Sequence, residues 1–247
     1  MLWVGTSWKM NGSLGFARDY ARSLRQADLH NWAGVQPFVI PSFTAIDTVR
    51  NELGPDSPVL LGAQNAHWED EGAWTGEISV LQAMDAGAQL IEIGHSERRA
   101  NFAETNEVVR RKVEATLLAG ARPLLCVGEP AEVFRAGGSV SYITEQADAA
   151  LCGLDSSSVI LAYEPIWAIG ENGREPERED LVTAFAALRE RYETRVEAIL
   201  YGGSVNQKNA LDLLNIQGVG GLFVGRSAWS VEGYLDILRI ATQKAAG

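Results

Sequence analysis

Glu164 closes the apolar run Val159-Ile160-Leu161-Ala162-Tyr163 and stands directly before Pro165. Proline disfavours a helical conformation at the residue before it, so Glu164 is expected to be the last extended residue of a strand. A carboxylate held there can take a proton from a substrate carbon, cap a neighbouring helix or pair with an arginine. His95 ends another apolar run and leads into Ser96-Glu97-Arg98-Arg99, which reads as the start of a short helix with Ser96 near the cap. An imidazole at that end of a helix feels the positive pole of the dipole, which disfavours protonation and leaves a neutral donor suited to a carbonyl. A purely structural histidine is the alternative. Lys9 follows the first apolar run. It can offset charge on a phosphate and a developing enolate, form a Schiff base, or simply be a solvated lysine.

Gly170, Gly202-Gly203-Ser204 and Gly225-Arg226 can supply backbone N–H groups around a phosphate without side-chain bulk. Tight turns need glycine anyway, but two such turns after the last two strands are a more specific sign. Glu97 with Arg98 or Arg99 reads as an ion-paired rim, and Cys126, Glu129, Trp74, Trp167 and Trp229 read as packing residues. With three histidines and no paired ligand spacing, no metal is expected, and no cofactor.

These side chains need elements to hold them. Eight short apolar runs recur, at 2–5, 37–41, 59–63, 90–93, 123–127, 159–163, 198–201 and 221–224. Segments with helical spacing lie between them, at 14–24, 181–192 and 234–241, and a further one runs from a Thr105 cap to a terminating Gly120. Strands apolar on both faces belong to a parallel sheet covered by helices. No G-x-G-x-x-G follows the first run and no Walker A sequence exists, whereas nearly every run ends in polar or special residues. Eight strands sharing one polar rim favour a (β/α)₈ barrel, a single α/β domain over residues 1–247, above an open doubly wound sheet.

Composition narrows the partners. The 247 residues carry a formal charge of −11, which argues against nucleic acid or an anionic membrane surface. An anionic ligand then needs local attraction, from backbone N–H groups beside an isolated Lys or Arg. Two cysteines without C-x-x-C spacing, and residues 1–10 without a basic-then-apolar pattern, read as cytoplasmic.

Together, Ser7-Trp8-Lys9-Met10-Asn11, Gly72-Ala73-Trp74-Thr75-Gly76-Glu77, Gly94-His95-Ser96-Glu97-Arg98-Arg99, the stretch from Ala162 to Gly170 and Tyr201-Gly202-Gly203-Ser204-Val205 resemble the triosephosphate isomerase family from first strand to last. The resemblance implies Glu164 as general base, a neutral His95 as electrophile and Lys9 as stabiliser of substrate and enediolate, a division of roles that belongs to what is known of the family. It further implies phosphate contacts from Gly170, Ser204 and Gly225, a lid beyond Pro165, and a homodimer in which the loop 74–77 carries Thr75 into the neighbour's site. Ser7 stands where the family usually has Asn, Arg226 where it usually has a second Gly, and Glu171-Asn172-Gly173 at the far lid hinge. Ser7 frees volume beside the reacting carbons and Arg226 adds a charged fork near the phosphate. These departures, with Asn65-Ala66-His67-Trp68 and the segment from Gly225 to Leu238, are more similar to the L-erythrulose-1-phosphate isomerase branch, which serves four-carbon polyol catabolism. The expected substrate is therefore a small phosphorylated ketose, with triosephosphate isomerase proper as the near alternative. A Schiff-base aldolase using Lys9 and a non-catalytic barrel scaffold are the remote ones.

Overall fold

The structure, a computed structural model, describes residues 1–27, 32–169 and 175–247. Its strands are β1 (Leu2–Ser7), β2 (Val35–Ile40), β3 (Leu60–Ala63), β4 (Leu90–Ile93), β5 (Arg122–Val127), β6 (Ile160–Tyr163), β7 (Ala198–Tyr201) and β8 (Gly221–Val224). Each pairs in parallel with the next, and β8 pairs with β1, so the sheet closes into a barrel with helices in the crossovers. The expected (β/α)₈ architecture is the observed one.

Alternation along each strand divides the core into two layers. Trp3, Phe38, Leu90, Leu124, Ile160, Leu200 and Phe223 fill the barrel interior. Their neighbours Val4, Val39, Ile91, Leu125, Leu161, Tyr201 and Leu222 pack outward under the helices. Burial on both faces is what the continuous apolar runs required.

The helices start and stop on local signals. Ser13 accepts from the Phe16 N–H at the head of the helix Leu14–Gln26. Thr105 accepts from Val108 N–H to open the helix Asn106–Leu118, and Gly120 follows it at φ +81°, the left-handed conformation that glycine adopts without a Cβ penalty. Two helices begin earlier than their apolar spacing suggests. Arg178–Tyr192 starts where Glu177 N–H donates to the Asp180 carboxylate, and Val231–Ala246 starts where Ser230 accepts from Gly233 N–H. Among the described residues no helix is long and apolar enough to cross a membrane, and no group of His, Cys, Asp and Glu side chains could hold a metal ion.

Candidate active site

The strand C-termini converge on one cavity of about 590 Å³, lined by Ser7, Lys9, His95, Glu97, Glu164, Ser204, Gly225 and Arg226, with Gly202, Gly203 and Ile169 at its wall. Eight of the expected site residues thus come together. Gly170 and the far hinge Glu171-Asn172-Gly173 lie outside the described residues. Thr75 sits exposed on the loop between β3 and the helix Val80–Ala86 and does not line this chain's cavity.

Glu164 follows β6 and continues its ladder, its N–H donating to Val127 O at 2.8 Å. The inward alternation of Ile160 and Ala162 therefore carries the Glu164 side chain inward at the mouth. Gly202 makes room for it: a Cβ there would lie 2.7 Å from Glu164 Cγ. The carboxylate is 3% exposed, and its Oε2 has no hydrogen-bond partner among the described residues. Burial, then the charge of Glu92, push its pKa up to about 8 against the pull of Lys9. A dry, basic carboxylate with one oxygen free of partners is equipped to take a proton.

His95 departs from the expected cap. Its own imidazole, and not Ser96, caps the helix Ser96–Asn101, with Nδ1 accepting from Glu97 N–H at 3.1 Å. Burial, then the Lys9 charge, lower the imidazole pKa to about 4. The ring is therefore neutral, and because Nδ1 is an acceptor the proton belongs on Nε2. Nε2 lies 3.5 Å from Glu164 Oε2, a close approach that a neutral ring does not turn into an ion pair.

Lys9 adopts φ +51°, an uncommon conformation for a non-glycine residue. Gln64 Nε2 holds its carbonyl oxygen at 2.8 Å, and its ammonium donates to Glu97 Oε1 at 2.7 Å. Burial pulls its pKa down, but the bond to Glu97 and the charges of Glu97, Glu164 and Glu92 outweigh that and leave it raised. Glu97 thus pairs with Lys9 across the mouth. The ion-paired rim expected between Glu97 and its adjacent arginines is not there. Arg98 Nε instead donates to Glu104 Oε1 at 2.6 Å, and Arg99 Nε to Gly94 O at 2.8 Å.

Of two further buried carboxylates, Glu129 was expected to pack and Glu92 carried no expectation. Glu129 is not mere packing: it is fully buried, and its Oε1 accepts from Tyr163 Oη, Trp167 Nε1 and Ser139 Oγ at 3.1, 2.9 and 3.1 Å, tying β5 to the segment after Pro165. Glu92, inside β4, accepts from Ser7 Oγ at 2.8 Å beneath the cavity floor. The available signal was an acid inside a four-residue apolar strand, where a charge is costly. Trp74 also differs from the packing reading, being half-exposed in a ring cluster with His67 and Trp68.

A buried base beside a neutral imidazole N–H and a cation, with glycine-rich turns on the β7 and β8 side, suits proton transfer next to a carbonyl in an anionic substrate. The sequence matches the family model described as triosephosphate isomerase over residues 2–241. The chain belongs to the triosephosphate isomerase family. Within that family it is 59% identical to the L-erythrulose-1-phosphate isomerase of Mycolicibacterium smegmatis, covering 97% of this chain and 93% of that one. It is 46% identical to the enzyme of that name from Rhizobium rhizogenes (99% and 96% covered) and 47% identical to that from Brucella abortus (99% and 98% covered).

Proposed function

We propose that this protein is a ketose-phosphate isomerase that interconverts L-erythrulose 1-phosphate and D-erythrulose 4-phosphate. The observation that carries the reading is Glu164 Oε2, buried, unpartnered and 3.5 Å from His95 Nε2 at the cavity wall. Glu164 takes the proton from C3 of the substrate. The His95 Nε2–H and the Lys9 ammonium stabilise the enediolate oxygens, and the proton returns to C2, moving the ketone by one carbon. Ser204 and Gly225, with the Arg226 charge, receive the phosphate. This answers the requirement that a chain of charge −11 attract an anion locally. A raised Lys9 pKa keeps that amine protonated, which disfavours the Schiff-base alternative.

The names carried by the relatives support the four-carbon substrate over dihydroxyacetone phosphate, and with it a step in four-carbon polyol breakdown. A cytoplasmic location fits a phosphorylated substrate and two unpaired cysteines. Trp74 and Thr75, exposed on one loop, support a homodimer in which Thr75 reaches the neighbour's cavity.

Turnover of L-erythrulose 1-phosphate in deuterium oxide tests the mechanism. The product should carry deuterium at the carbon that receives the proton, and Glu164→Ala should lower kcat by roughly 10²- to 10⁴-fold while inhibition by inorganic phosphate persists. Near-native turnover by Glu164→Ala would refute it.

A further inference from the structure

Glu92 interrupts an otherwise apolar barrel interior. Leu90 faces inward, Ile91 and Ile93 face the helices, and Glu92 returns to the inward face one layer above Leu90. There Ser7 Oγ donates to Glu92 Oε2 at 2.8 Å, a bond that reaches from β1 to β4 across the floor of the mouth. Both residues are 3% exposed. Ser7 lines the cavity, and Glu92 lies behind it. In the closed strand order β4 is diametrically opposite β8, so the carboxylate approaches from the side remote from the Gly225 turn.

A serine hydroxyl has one proton to give. With that proton committed to Glu92, the lone pairs of Ser7 Oγ are left to face the cavity as acceptors. An acid in this position destabilises the barrel, and a leucine or valine would serve packing better, so its presence calls for a ligand-directed role. Resting on the proposed four-carbon substrate, we propose that Glu92 is a positioning residue for substrate choice: it fixes Ser7 as the acceptor for the hydroxyl on the terminal carbon remote from the phosphate, the hydroxymethyl group that a triose phosphate lacks. Ser7 lines the same cavity as Lys9 and Glu164, so the hydroxyl that Glu92 holds faces the space where the proposed chemistry occurs.

The experiment compares kcat/KM for L-erythrulose 1-phosphate and dihydroxyacetone phosphate in the wild type, Ser7→Ala, Glu92→Leu, Glu92→Gln and the Ser7→Ala/Glu92→Leu double variant. Values are taken from the plateau of each pH profile, so that a change in Glu164 ionisation does not enter. Glu92→Leu should lose roughly 10- to 100-fold on the tetrulose, and at least tenfold less on the triose, because only the tetrulose hydroxyl then meets a Ser7 that is no longer held as an acceptor. Ser7→Ala should show the same selective loss, and the double variant should lose little more than either single one. Glu92→Gln, whose amide oxygen still accepts the Ser7 proton, should keep the tetrulose preference to within about threefold, and Glu92→Val replaces Leu if that variant fails to fold. The Ki of inorganic phosphate reports whether the phosphate end is intact. Equal losses on both substrates, or additive losses in the double variant, would overturn the assignment while leaving the substrate reading in place. A wild type that turns over only the triose would overturn both.

Discussion

Replacing Glu92 by Gln should stabilise the protein, and increasingly so as the pH rises. Burial, opposed by the Ser7 bond and the Lys9 charge, raises the Glu92 pKa from 4.5 to about 7. The folded chain therefore holds that proton more tightly than the unfolded chain does. The carboxyl is neutral in both states below 4.5; as the pH climbs from there through 7, only the unfolded chain gains the ionised, well-solvated form, and the folded state loses ground. At 1.36 kcal/mol per pKa unit, the penalty is about 1.4 kcal/mol at pH 5.5 and about 3.4 kcal/mol at pH 9. Glutamine has no charge to desolvate and nearly the same shape. Urea denaturation of wild type and Glu92→Gln, at one protein concentration, should show the variant's advantage growing by about 2 kcal/mol between pH 5.5 and pH 9. An advantage that stays constant or shrinks with pH would mean that Glu92 is already fully ionised or well compensated, and that its charge is not carried at the barrel's expense.

Three further outcomes follow from the site. With Glu164 at about 8, held there by burial and Glu92 against Lys9 and Cys126, and with His95 neutral down to about 4, kcat/KM should fall about tenfold per pH unit below pH 8; a rate flat from pH 9 to pH 6 would contradict a buried basic Glu164. Gly202→Ala should lower kcat roughly 10- to 100-fold with little change in phosphate inhibition, because the new Cβ meets Glu164 Cγ at 2.7 Å and shifts the carboxylate; unchanged kcat would mean that its position is not critical. Lys112→Met should cost about 2–3 kcal/mol in urea denaturation, since Lys112 donates to Asn65 Oδ1 at 2.8 Å and to Glu104, and its loss leaves a buried carboxylate with Arg98 as its one cation among the described residues; a cost under about 1 kcal/mol would show that Arg98 alone satisfies Glu104.

What was legible in the sequence followed the physics of burial. Strand β4, β7 and β8 match their apolar runs end to end, because both faces of each are covered. Strand β2 begins two residues before its run, at Val35 and Gln36, since pairing with Leu2 and Trp3 extends the ladder past the point where hydropathy marks it. The carboxylate Glu164 was legible because Pro165 fixes its backbone, and His95 and Lys9 because each stands at a run's end. Glu92 was hidden by a four-residue strand in which apolarity dominates the reading. Contacts between distant positions left no trace in local spacing: Ser7 with Glu92, Lys9 with Glu97, and Lys112 with Asn65. Chain folding alone brings them together.

The central claim is the substrate beneath Glu164, and the ratio of kcat/KM on L-erythrulose 1-phosphate to that on dihydroxyacetone phosphate tests it most directly. One extra hydroxymethyl group, matched by the space and acceptor at Ser7, should favour the tetrulose by roughly tenfold or more. A ratio below one would contradict the account and return the enzyme to triose chemistry.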